Sequence, residues 1–91
     1  ETRPPPVVVG NKSFEIYAHA IATRYGRGEK VIVVRALGAK VETALDAANH
    51  AIEVLGLMLD HGDVRWGSQR VRCRLVSLIE LDLVARPGSE G

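Results

Sequence analysis

The sequence has 91 residues, 46% of them hydrophobic and 25% charged, which leaves room for one modest core and excludes a disordered chain. Twelve Lys and Arg against eleven Asp and Glu give a net charge of +1, so the chain as a whole is not basic. The one cysteine, Cys73, excludes an internal disulfide and a four-cysteine zinc site and points to a cytosolic setting. The apolar runs are too short to span a bilayer, and no charged segment followed by an apolar targeting stretch opens the sequence.

In chain order, the triple proline of "ETRPPP" marks residues 1–6 as an extended arm. "VVVG" reads as a short buried strand. In "NKSFEIYAHAIATRYGRG", Phe14, Tyr17, Ala18, Ile21 and Tyr25 recur on one helical face. Ser13 stands where an N-cap is expected, Glu15 suits the first turn, and Gly26 and Gly28 stop the helix. The β-branched run "KVIVVRA" predicts a buried strand over residues 30–36, turned by Gly38. A second, longer helix is expected over residues 39–62, with Val41, Ala44, Leu45, Ala48, Ile52, Leu55 and Leu59 inward, His61 in its last turn and Gly62 closing it. "DVRWGSQ" then begins a third strand. "LVSLIELDLVA" is a fourth, with Ile79, Leu81 and Leu83 on one face and Glu80 and Asp82 on the other. These two strands fold back between Gly67 and Arg74, although no Gly, Pro or Asn in "QRVRCR" marks the turn. Residues 86–91 form a polar tail, and 7–85 a single domain.

The order β-α-β-α-β-β predicts an α+β two-layer sandwich whose first three strands point the same way. Their C-terminal ends share one edge of the sheet, where open sheets bind ligands. Three features land there. Two are the helix-opening loops: Gly10, Asn11, Lys12 and Ser13, then Leu37, Gly38, Ala39 and Lys40. The third is the hairpin with Arg70, Arg72 and Arg74, three cations at period two with no acid among them. Helix starts bind phosphate through unpaired N–H groups. Lys12 and Lys40 sit where the helix dipole disfavours a cation, which is a functional signal. An extended cationic surface of this kind fits a polymer of phosphates better than a single nucleotide.

"VGNKSFEIYAHAI", "VIVVRALGAKVETALDAA" and "VRWGSQRVRCRLVSLIELDL", in that order, resemble the Alba family of small archaeal chromatin proteins over residues 7–84. The likeness is greatest to the second, divergent Alba paralogue, with its short hairpin between "GSQ" and "VSLIEL". The resemblance implies a βαβαββ fold like the C-terminal domain of translation initiation factor three. It also implies dimers that coat double-stranded DNA with little sequence preference, with RNA as a further partner. A lysine pair before the first helix contacts nucleic acid in the family. Here those positions hold Asn11 and Lys12, and Lys12 matches the acetylated one. The family's Arg-Gly-Arg loop reads Leu37-Gly38-Ala39, followed by Lys40, so two charges are missing there. Family hairpins reach along the minor groove, which suits Arg70, Arg72 and Arg74.

The resulting expectation is a chromosome-associated cytoplasmic protein that compacts duplex DNA. It acts as a homodimer, or as a heterodimer with an Alba paralogue, and uses no membrane, metal or cofactor. Asn11, Lys12, Ser13, Arg35, Gly38, Lys40, Arg70, Arg72 and Arg74 are the expected contacts. RNA binding within the same fold, or regulation by a small acidic ligand, are the alternatives. The arginine hairpin also reads as an edge strand kept charged against aggregation. Arg65 and Trp66 could stack on bases, but Trp66 is assigned first to the core or a dimer contact. Cys73 reads as a small apolar filler. His19, His50 and His61 are too scattered for a shared metal site, "GAKVET" lacks the spacing of a phosphate-binding ATPase loop, and no catalytic constellation stands out.

Overall fold

Parallel pairing of β1 (Val7–Val9) with β2 (Val31–Leu37) sets the frame, with Val7 opposite Val34 and Val9 opposite Ala36. Two helices separate the remaining strands: α1 (Phe14–Gly26) and α2 (Val41–Glu53), the latter entered through a single 3₁₀ turn, Gly38–Lys40. β3 (Leu59–Val71) and β4 (Arg74–Ala85) form a long antiparallel hairpin, and β4 inserts beside β2 to give the order β1-β2-β4-β3. The computed structural model describes residues 5–86, so residues 1–4 of the expected arm and 87–91 of the expected tail lie outside the described residues.

The expected direction of the strands holds. β1 and β2 are parallel, and β3, antiparallel to β4 as β2 is, points the same way. Both helices lie on one face of the sheet. Tyr17, Ala18 and Ile21 of α1 pack with Ile32, Val34 and Ala36 of β2 and with Ile79, Leu81 and Leu83 of β4 in one core. The alternation read in β4 is therefore the alternation between core and open face.

α2 departs from expectation. It ends at Glu53, not Gly62, so nine residues assigned to the helix belong to a turn and to β3. The reversal is local. The Leu55 N–H donates to the His50 carbonyl and the Leu57 N–H to that of Ala51, while Gly56 between them adopts φ +72°. A residue with a Cβ resists that conformation, so Gly56 rather than Gly62 is the stop. Leu59 is buried as expected, but as a strand residue opposite Ala85, and His61 lies in β3 rather than in a helix terminus. The inner face of α2 is also rotated from the expected one. Ala44, Ala47, Ala48 and Ala51 are fully buried, whereas Leu45 is 39% exposed. Small side chains on this stripe let α2 lie close to α1 and the sheet.

β3 carries one extra residue. His61 opposes Leu83 and Val64 opposes Leu81, so Gly62 and Asp63 together face Asp82. The bulge resets the alternation: Leu59 and His61 precede it on the core side, and Val64 and Trp66 follow it there, opposite Leu81 and Ile79. A Cβ at Gly62 would stand 2.9 Å from Val84 Cγ2 and 3.2 Å from Asp82 Cβ. Gly62→Ala is therefore expected to destabilise the fold by about 1–2 kcal/mol through crowding, read as a lower midpoint in urea or thermal unfolding.

Candidate functional site

The register of the sheet gathers the expected site at one end. Val9 and Ala36 are partners, so the loops that follow β1 and β2 leave side by side. Leu37, the last residue of β2, pairs with Leu78 of β4, and Leu78 pairs with Gly67 of β3. Beyond that row the hairpin continues unaccompanied through four pairs, from Ser68–Ser77 to Val71–Arg74. At strand rise this is an arm about 13 Å long, plus its turn. The Gly38 loop packs at its base, where a Cβ on Gly38 would come within 3.2 Å of Val76 Cγ1; φ +51° also favours glycine there.

The three arginines of the arm are not one ribbon. The turn consists of Arg72 and Cys73, with φ +51° and +66°. Arg70 pairs with Leu75, and Val71 with Arg74. Paired residues share a face and successive ones alternate. Arg70 therefore lies on the helix-bearing side of the arm, Arg74 on the opposite side, and Arg72 at the tip. The period-two spacing arose because an alternating strand runs into a two-residue turn. No acid lies between Arg65 and Glu80, so the arm is purely cationic. Cys73, read as an apolar filler, is exposed in this turn.

The loop before α1 is held from inside the protein. The Tyr17 hydroxyl accepts hydrogen bonds from the backbone N–H groups of Gly10 at 2.8 Å and Lys12 at 3.1 Å. Asn11, Lys12 and Ser13 are exposed. Ser13 occupies the N-cap with extended backbone, but its hydroxyl makes no capping bond. Lys40 is the residue preceding α2 and makes no side-chain cap either. Tyr17 was legible only as a core residue. The available signal was that a buried tyrosine hydroxyl usually finds a polar partner.

Arg35 stands apart from this end, on the open face of the sheet. Its Nε donates to Glu80 Oε2 at 2.7 Å, across the row Arg35, Glu80, Arg65 that joins β2, β4 and β3. Arg65 donates to Glu80 Oε1 at 3.3 Å and to both Asp82 oxygens at 2.8 and 3.1 Å. On the far side, Arg86 pairs with Asp60 at 2.8 Å. Among the described residues, Lys12, Lys40, Arg70, Arg72 and Arg74 form no ion pair. The paired arginines brace the sheet; of the cations without an ion pair among the described residues, these five lie at the arm and the two loops, and Arg24, Arg27 and Lys30 lie at the other end, from the last turn of α1 to the start of β2. Trp66, one residue from Arg65, is 68% exposed, which removes it from the core.

The site is an open end: a shallow hollow lined by Val8, Asn11, Lys12 and Ile16 adjoins the first loop, and the arm projects beyond the sheet. Among the described residues no group of three His, Cys, Asp or Glu could hold a metal ion, and no helix is long and apolar enough to cross a membrane. What the end offers is exposed cations and helix-start N–H groups, which together suit repeated anionic groups.

A four-stranded sheet with two helices on one face and a projecting hairpin defines the Alba fold. Alba from Thermoplasma volcanium superposes with a TM-score of 0.78 at 21% identity, over 88% of this chain and 99% of that one. ALBA1 from Trypanosoma brucei gives 0.77 at 22%, over 98% and 76%. No family model matches the sequence. The curated "DNA/RNA-binding protein Alba" of Nanoarchaeum equitans (strain Kin4-M) is 29% identical over 89 residues, covering 90% of this chain and 99% of its own length. The chain thus has the Alba fold and is similar in sequence to a curated Alba protein over nearly its whole length.

Hydrogen bonds from Arg35 and then Arg65 hold the Glu80 carboxyl below its ordinary value, against partial burial that raises it. A carboxyl with a depressed pKa stabilises the fold above its unfolded pKa, and that contribution disappears as pH falls through the folded value. Glu80→Gln should therefore lower stability at neutral pH by no more than about 1 kcal/mol, since the pairs are half in water. Melts of wild type and variant should converge in acid. At the arm tip, Cys73→Gly relieves a left-handed backbone and should raise unfolding stability by about 0.5–1 kcal/mol, measured by thermal melting.

Proposed function

We propose that this protein is a dimeric architectural protein that binds double-stranded DNA through phosphates and a groove, with little sequence preference. The observation that carries the reading is the gathering of five unpaired cations at the arm and the two helix-opening loops. Arg35, Arg65 and Arg86 are paired with carboxylates, whereas Lys12, Lys40, Arg70, Arg72 and Arg74 have no such pair among the described residues and project at one end. Unpaired cations on an arm repel one another in the free protein, and phosphates offset that repulsion. Arg70 and Arg74 on opposite sides of the arm favour a setting with phosphates on two sides, as a duplex groove provides. The name of the Nanoarchaeum equitans relative, a DNA/RNA-binding protein, supports the class and favours RNA as the second reading. A regulatory site for one small acidic ligand fits less well, because the end is open and its cations are spread over three segments.

Asn11, Ser13 and Gly38 act in this reading through the loops that carry them. Arg35 acts by bracing β2 to β4, and contact with nucleic acid passes to the arm. Lys12 is the proposed acetylation site, where losing a charge would weaken the grip. The dimer covers the strip left bare beside α2. Val64 (49% exposed) and Trp66 (68%) lie on the helix-bearing face of β3, and Leu45 (39%) and Val54 (67%) are exposed on and just after α2. An Alba paralogue presenting the same strip would give a heterodimer. Chromosome association belongs to the same proposal, and the single cysteine suits a cytoplasmic setting.

A salt-series titration against duplex DNA, duplex RNA and single strands tests the reading. Duplex binding that weakens steeply with salt and saturates at several base pairs per dimer is expected. Saturation by one small anion would favour the ligand module instead. Lys12→Gln should reduce the salt slope by about 0.9 for each phosphate that the lysine no longer neutralises. Replacing Arg70, Arg72 and Arg74 by Ala together should cost at least about 1 kcal/mol of binding per charge-assisted hydrogen bond, with the melting temperature hardly lowered. Light scattering at micromolar concentration should give twice the chain mass, and Trp66→Glu should shift it toward the monomer.

A further inference from the structure

We infer that Tyr17 is a positioning residue for nucleic-acid binding: its hydroxyl fixes the backbone from which Lys12 reaches the phosphate. The inference rests on the reading of Lys12 as a nucleic-acid contact and adds a residue that never touches the ligand. Tyr17 is 8% exposed and its ring belongs to the core, so the hydroxyl is a fixed point rather than a mobile one. It accepts from Gly10 N at 2.8 Å and Lys12 N at 3.1 Å, which uses both lone pairs. The two donors flank Asn11, so one oxygen closes the loop like a clasp. No other side chain among the described residues bonds these N–H groups. Gly10 lets the oxygen approach, since a Cβ there would stand 3.3 Å from it.

The consequence for binding is entropic. Lys12 is exposed and its four-carbon stem is free, but its Cα is not, because the preceding peptide is pinned at the nitrogen. Without the clasp, the loop opened by Gly10 would have to be ordered on every encounter, and that ordering opposes binding. The hydroxyl thus acts through Lys12 and through no charge of its own.

A double-mutant cycle tests this. Tyr17→Phe keeps the ring and removes only the acceptor. We expect it to weaken duplex binding about fivefold at low salt. We also expect amide exchange at Gly10 and Lys12 to accelerate while the core amides of α1 and β2 keep their protection. In the Lys12→Gln background the same change should cost less than about twofold, because the group it positions is gone. Equal losses in both backgrounds, or unchanged binding by Tyr17→Phe, would overturn the positioning role while leaving the Lys12 contact intact. Retained protection at Gly10 and Lys12 in Tyr17→Phe would overturn it too. If Lys12→Gln alone binds like wild type, the contact itself fails and the positioning role falls with it.

Discussion

The parallel register of β1 on β2 is the constraint from which the functional end follows. Because Val9 and Ala36 are partners, two separate loops emerge at one end of the sheet and each opens a helix there. Had β1 paired antiparallel, the Lys12 loop would lie at the opposite end from Lys40. The second half of the construction is β4. By inserting between β2 and β3, it aligns Leu78 with Leu37 and carries the hairpin past the end of the central strands. The arm is long because β3 and β4 outrun β2, and it is clear of the body because neither helix follows it.

This arrangement separates two uses of arginine. In the middle of the sheet, arginines stand opposite carboxylates in cross-strand rows, where geometry is fixed on both sides. Beyond the Gly67–Leu78 pair, residues 68–77 of the arm contain no acid, so the charges there have only solvent. The same residue type thus serves cohesion within the sheet and attraction beyond it, and only the neighbouring strand decides which. Arg35 illustrates the point: it lies two residues from the end of β2, yet Glu80 in the next strand claims it.

Much of this was legible in the sequence. The strand of "VVV", the inner face of α1, the alternation of "LIELDL" and the convergence of the two loops with the hairpin rest on periodicity and on βαβ geometry, and each stands as read, except that the first strand is buried on one face only, with Val8 60% exposed. The errors have local physical causes. Leu55 and Leu59 continue a helical spacing, but Gly56 with its left-handed backbone intervenes, and spacing does not reveal which glycine will stop a helix. Leu45 was read inward from its spacing, but the stripe of Ala44, Ala47, Ala48 and Ala51 is the face that packs closely, and Leu45 falls at its margin. Arg70, Arg72 and Arg74 mimic a strand because a two-residue turn without glycine leaves no mark on the pattern. The clasp of Tyr17 joins residues in different elements, and that needs three dimensions to see.

The bulge at Gly62 and Asp63 bears on how this chain can change length. Pairing on its tip side is set by β4, so excising one residue at the bulge would leave Val64 opposite Leu81 and every later partner in place. Losing one residue between Val64 and Val71 has no such refuge: the shortened strand must slip, exchanging inward and outward side chains as far as the turn. Insertions and deletions among descendants of this sequence should accordingly gather at two places, the bulge and the hairpin tip, with the stretch between them constant in length even where its residues diverge.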